Sequence, residues 1–154
     1  MKALALALAL MTIPAVALAA DPFVGTFKLN AAKSATSGGQ TPPDMTLTIS
    51  EDDSNLMIAT SGKTATGTPI EADVLVLPKK GGTIKAPQGQ QNYDSTTVTR
   101  RDPNTIEMLA SLKGKERTRV KLALSRDGKT LTRSFTSTNA QGRPVNGTSV
   151  LERE

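Results

Sequence analysis

Two arginines in apolar settings carry the most chemistry in this sequence. Arg133 falls between Leu131 and Phe135, and Arg100 follows Thr96 and Val98 at the same two-residue spacing. Alternate residues of a strand share a face, so each guanidinium is expected on a face otherwise made of apolar and hydroxyl side chains. An unpaired charge buried there is costly and must meet an acid, water or an anionic ligand. The competing arrangement puts Arg133 at a barrel mouth, its stem on apolar surface and its guanidinium in solvent. Thr60, Thr118 and Ser149 turn hydroxyls to the same face, with Leu151 beside Ser149. A second basic group, Lys115, Arg117, Arg119 and Lys121, alternates along one segment while Val120, Leu122 and Leu124 claim the opposite face. It would form an outer stripe that either meets an anionic envelope surface or simply keeps the strand soluble. It has no aromatic platforms for stacking bases, so no nucleic acid is expected there.

The remaining motifs are poorer. Gly62-Lys63-Thr64 and Gly128-Lys129-Thr130 match the tail of a phosphate-binding loop, but Met57 and Ala123 stand where its first glycine is required, so both are read as turns. Glu51-Asp52-Asp53-Ser54-Asn55 lacks the glycine and the bidentate acid of a calcium loop and is read as a solvated hairpin loop. Glu71 and Asp73 share a face opposite Ile70, Ala72 and Val74, which puts them on the wet outside rather than in a glycosidase pair. The chain has no His and no Cys. Ser-His-Asp and Cys-His machinery, His- or thiolate-bound zinc, His-ligated haem and disulfides are therefore excluded. No constellation of nucleophile, base and orienter remains, so neither an enzyme nor a cofactor is expected.

The elements that must position these residues are strands. With 12 Gly and 9 Pro recurring between short apolar runs and abundant Thr, the composition favours strands and turns, and helix is nearly absent from the reading. Hairpin register tests this, because residues opposite one another face the same side. A loop at Ala65-Thr66-Gly67 sets Ile70 against Gly62, Ala72 against Thr60, Val74 against Ile58 and Val76 against Leu56. A loop at Asp102-Pro103-Asn104 sets Val98 against Met108 and Arg100 against Ile106. One at Leu112-Lys113-Gly114 sets Ile106 against Val120. Asp127-Gly128 reads as a two-residue turn with positive φ at both residues, pairing Leu124 with Leu131, Leu122 with Arg133 and Val120 with Phe135. Ala140-Gln141-Gly142 then sets Leu131 against Leu151, Arg133 against Ser149 and Phe135 against Gly147. Strands are expected at 23–29, 44–50, 55–64, 68–77, 83–86, 94–101, 105–111, 115–126, 129–139 and 143–153, with 31–43 irregular. The interior should hold Phe23, Phe27, Leu47, Ile58, Val74, Ile106, Val120, Leu131 and Phe135. Sequential hairpins with one buried face close as an up-and-down barrel of about 8 to 10 strands, or stack as a sandwich; closure removes exposed edges and is preferred.

Residues 1–19 read as a signal peptide: Lys2, then an almost wholly apolar run from Ala3 to Leu18, then Ala17-Leu18-Ala19 for the peptidase. The mature chain is expected to begin at Ala20, in the periplasm or outside the cell, as one domain of about 135 residues and a monomer. The formal net charge of +5 is only mildly basic.

Phe23-Val24-Gly25-Thr26-Phe27-Lys28-Leu29 resembles the opening strand of lipocalins and intracellular fatty-acid-binding proteins, with Phe27 in place of the usual Trp. Thr148-Ser149-Val150-Leu151-Glu152-Arg153 resembles the closing strand of fatty-acid-binding proteins. Asn104-Thr105-Ile106-Glu107, Asp127-Gly128-Lys129-Thr130-Leu131-Thr132 and Ala140-Gln141-Gly142 resemble small exported lipocalin-like proteins of bacteria. The resemblance implies a calycin-type barrel that binds a small molecule. Fatty-acid-binding proteins clamp the ligand carboxylate with an Arg and a Tyr two apart on the last strand. The matching positions here are Ser149 and Leu151, so the resemblance does not extend to that clamp. The leading expectation is an exported lipocalin-like binding protein for a small amphipathic or anionic hydrophobic molecule, contacted by Arg133, Arg100, Phe135, Ser149, Thr60, Thr118 and Leu151. The alternative is a non-enzymatic envelope protein that works through the outer basic face around a filled core. A connected cavity of some 300 Å³ or more would favour the first.

Overall fold

Beyond residue 20, turn residues punctuate the chain so often that no apolar run is long enough for more than one strand. The computed structural model describes residues 20–37, 44–64, 66–70, 74–88, 91–138 and 142–154. Their strands are β1 (Gly25–Leu29), β2 (Ala35–Ser37), β3 (Asp44–Glu51), β4 (Asn55–Lys63), β5 (Val74–Pro78), β6 (Gly82–Lys85), β7 (Ser95–Asp102), β8 (Thr105–Leu112), β9 (Lys115–Leu124), β10 (Thr130–Thr138) and β11 (Pro144–Arg153). They pair antiparallel in the order β5-β4-β3-β1-β11-β10-β9-β8-β7-β6, with β2 also on β11. The result is an up-and-down barrel, as expected, closed everywhere except between β5 and β6. Leu151 meets both Leu29 and Leu131, and so ties the first and last strands into one wall.

The expected register holds for β7–β8, β9–β10 and β10–β11. It slips by two residues between β8 and β9, where Ile106 pairs with Leu122 and Met108 with Val120. The turn there is the two residues Lys113 (φ 51°) and Gly114 (φ 74°), followed by a bulge beside Ala110 and Ser111, so the shift is even and the inward face survives. The Asp127-Gly128 loop is also wider than expected. Ser125 N donates to Thr130 O (2.8 Å), and among the described loop residues only Gly128 has positive φ (71°).

Between β4 and β5 the slip is odd. Ile70 N still donates to Gly62 O (2.9 Å), but further on Ala59 pairs with Val74, Ile58 with Leu75 and Leu56 with Leu77. One residue of slip exchanges the faces of a strand. Leu77 therefore enters the core, and Val74, expected inside, is 56% exposed. Glu71 and Asp73 lie outside the described residues, as do the expected signal segment and most of the Ala140-Gln141-Gly142 loop.

The segment 31–43, expected to be irregular, contains a 3-10 turn (Ala31–Lys33) and β2 in its described part. Glu152 holds the turn by accepting from Lys33 Nζ (2.8 Å) and Asn30 Nδ2 (3.1 Å). The Ser34 hydroxyl donates to Asn30 O (2.8 Å) and accepts from Val150 N (2.9 Å).

One end of the barrel is filled. Phe23, Phe27, Leu47, Ile49, Leu56, Ile58, Leu77, Ile106, Leu122, Leu131 and Leu151 are all buried there in one cluster. The segment before β1 caps this end with Phe23, which is fully buried.

Candidate functional site

The inward residues form rungs around the wall, and their sizes decide where the barrel is hollow. At the packed end the rungs carry Leu, Ile and Phe. Toward the other end, Thr96, Ala110, Thr118 and Ser137 pair in sequence across β7 to β10. Small side chains on one rung cannot meet across a barrel of this strand number. A cavity of about 290 Å³ results, walled by Leu75, Thr96, Met108, Ala110, Thr118 and Val120, with Tyr93 at its edge and Arg133 on its floor.

Arg133 is placed by β10. It pairs with Leu122 on β9 and Ser149 on β11, one rung above Leu131. It is half-buried, and its guanidinium lies 5.4 Å from the Phe135 ring centroid. No acidic side chain meets it among the described residues, and no hydrogen-bond acceptor is supplied to it. Burial alone pulls its pKa below the ordinary arginine value, with no partner pushing it back. The group remains a cation with five donors in a fixed fork, lining a largely apolar space.

The other expected contact residues separate. Thr118 lines the cavity, with its hydroxyl 2.8 Å from that of Ser137. Phe135 supplies the ring against Arg133 and lies opposite the bare Gly147. Ser149 is buried beside Arg133, whereas Leu151 belongs to the packed core and Thr60 pairs with Leu47 away from the cavity wall. Arg100 is engaged within the chain. Its guanidinium bonds both carboxylate oxygens of Asp21 (2.5 and 3.1 Å) and Pro103 O (2.6 Å), stacked 5.4 Å from Phe23. Arg100 does face inward, but β7 delivers it to the packed end, where the chain preceding β1 brings its own acid.

Leu75, Met108, Ala110 and Tyr93 were not singled out from the sequence. Ala110 was within reach, since the β7–β8 register sets it opposite Thr96 and a small inward residue marks a hollow. Leu75 was hidden by the odd slip before β5. Tyr93 sits in a turn-rich segment where periodicity says nothing.

On the outside, Lys115, Arg117, Arg119 and Lys121 are exposed as expected. The stripe is partly neutralised by its own strand: Glu116 accepts two bonds from Arg119 (both 3.0 Å) and holds that guanidinium's pKa up. Lys121 pairs with Glu107 across the ladder. Asp52, of the acidic loop, accepts from Ser54 N (2.8 Å) and Asn55 N (2.7 Å), closing a turn. Among the described residues there is no cluster of three potential metal ligands, and no helix is long and apolar enough to cross a membrane.

No family model and no curated protein matches the sequence. The fold is similar to that of the zebrafish ileal bile acid-binding protein, solved in complex with cholic acid. The likeness covers 86% of this chain and 99% of that one, with a TM-score of 0.51 and 11% sequence identity. It is a likeness of fold alone: an all-β, antiparallel up-and-down barrel.

Proposed function

We propose that this barrel binds a small, largely apolar molecule carrying an anionic group, with the anion seated on Arg133. The observation that carries this reading is a half-buried guanidinium lining the cavity with an aromatic ring beside it and, among the described residues, no acid to neutralise it. A charge-assisted contact to such a group is worth roughly 1.5–3 kcal/mol, and it gives the desolvated cation the partner it lacks. The neighbouring fold, solved with an acidic steroid, is consistent with this use of the interior. The role is that of a binding protein acting beyond the inner membrane, as an exported chain. Cleavage before Ala20 fits that route, because it leaves Asp21 on Arg100 and Phe23 in its socket.

Native mass spectrometry of the protein purified from its own host tests the reading. We expect a retained apolar acid that is lost on Arg133→Leu. A retained cation, or retention unchanged by Arg133→Leu, would contradict it.

A further inference from the structure

The outer wall of the barrel carries a second polar arrangement, on β9 and β10. Arg119 and Lys121 stand two residues apart on the outside of β9, and the ladder sets a hydroxyl of β10 opposite each: Thr136 against Arg119 and Ser134 against Lys121. Directly opposed side chains on one face lie about 5 Å apart, so each rung presents a cation and a hydroxyl side by side. A shallow cavity of about 190 Å³ lies over these residues, bounded by Glu107 of β8. The flanking carboxylates are already engaged. Glu107 accepts from Arg101 Nε (2.8 Å), and Glu116 holds Arg119 through Nε and Nη2 (both 3.0 Å), which leaves Nη1 of that fork unbonded among the described residues. The Lys121 ammonium makes no ion pair among the described residues, and the exposed Arg117 extends the row of cations along β9.

We propose that this outer face of β9 and β10 binds a linear phosphodiester polymer, with successive phosphates seated on successive rungs. The site uses no part of the barrel interior and stands independently of Arg133. Each phosphodiester has two free oxygens, one for the cation of a rung and one for its hydroxyl. The repeat length points to the kind of chain. Two residues of an extended strand advance about 7 Å. A phosphodiester chain with a three-carbon spacer has as many backbone bonds between phosphates as two residues of peptide, so in its extended form it keeps step with the rungs. The favourable groups form a strip one ladder wide, with Glu107 along its β8 side, which suits a chain and would repel part of an anionic plane. The outward residues of these rungs include no aromatic side chain, so the bases of a nucleic acid would find nothing to stack on.

The test titrates an oligomer of propanediol phosphate into the protein by calorimetry at low salt, beside inorganic phosphate and vesicles of phosphatidylglycerol. The oligomer should bind about tenfold or more tighter than inorganic phosphate, because neighbouring rungs act together. Arg119→Gln combined with Lys121→Gln should weaken the oligomer by about tenfold or more and reduce the slope of log affinity against log salt by about 1–2. Thr136→Val should weaken it by about threefold or more. Thr132→Val, on the same face of β10 but opposite Ala123, should leave it unchanged. Glu116→Gln should strengthen it, because the Arg119 fork is released and a repelling charge is gone. All these positions lie on the outer wall, and urea midpoints close to that of the wild type should accompany every variant. Oligomer affinity that ignores the Arg119→Gln, Lys121→Gln pair, or that responds equally to Thr136→Val and Thr132→Val, overturns the site. Vesicle binding that depends on Arg119 and Lys121 without oligomer binding assigns the strip to a lipid surface and also overturns the proposal.

Discussion

Arg153 and Arg133 lie on neighbouring strands, each against an aromatic ring, and their surroundings have nothing else in common. Arg153, at the packed end, stacks 4.4 Å from Phe27 and donates to Gly128 O (2.6 Å), Val24 O (2.6 Å) and Pro22 O (2.8 Å). Arg100 at the same end is likewise saturated by Asp21 and Pro103. Arg133, in the hollow half, has the ring alone among the described residues. Where the fold needs a half-buried arginine for its own cohesion, it supplies acceptors from turns and from the chain before β1. Where it supplies none, the arginine is available to something from outside. Under the proposed function, the two halves divide one barrel between stability and binding.

Truncation should separate them most strongly. Leu131→Ala, at a fully buried position, should cost about 2–5 kcal/mol in urea unfolding. Val120→Ala, on the cavity wall, should cost much less, because space already lies beside it. Equal losses would mean that the hollow half is packed in solution. Next in size, Arg153→Met should cost about 2 kcal/mol or more, since three carbonyls lose their donor together. A shift no larger than that of an exposed Lys substitution would remove the contrast between the arginines.

Much of this division was legible in the sequence. Leu131, Arg133 and Phe135 follow one another at two-residue spacing, and with the Asp127-Gly128 turn they place apolar floor, cation and ring in the right order on one face. The packed core was legible because Leu and Ile repeat on facing rungs. The inner face of β5 was not. In Val74-Leu75-Val76-Leu77 either alternate set is apolar enough to face inward, so periodicity cannot choose, and one slipped residue before β5 decided it. The internal partner of Arg100 was hidden for a different reason. Its acid, Asp21, is remote along the chain, and hairpin register links only sequential strands.

Smaller effects sharpen the same contrast. Gly128→Val, at φ 71° in the loop that Arg153 braces, should cost about 1 kcal/mol or more, read as a lower urea midpoint. Acid should act weakly on both ends through exposed turn carboxylates. A backbone bond from Ser54 lowers the pKa of Asp52, one from Lys113 that of Asp94, and the Ser125 hydroxyl that of Asp127, each from 3.8. A depressed folded value means stability that is present above the ordinary value and lost as pH falls through the folded one. The urea midpoint should therefore be flat at neutral pH and decline modestly only below about pH 4. A decline beginning near neutrality would require a titrating group that these carboxylates do not provide.

The most direct measurement pairs affinity with stability in one substitution. Titrating a fluorescent apolar sulfonate into the wild type and into Arg133→Leu, with urea midpoints for both, reads the two halves at once. We expect the variant to bind about one to two decades more weakly and to be as stable as the wild type or more so, because an uncompensated cation is replaced by a fitting apolar side chain. Arg133→Lys should recover part of the affinity, as the charge returns without the planar fork. Unchanged affinity, or a loss of stability comparable to that of Leu131→Ala, would make Arg133 part of the structural core and contradict its assignment as the anion site.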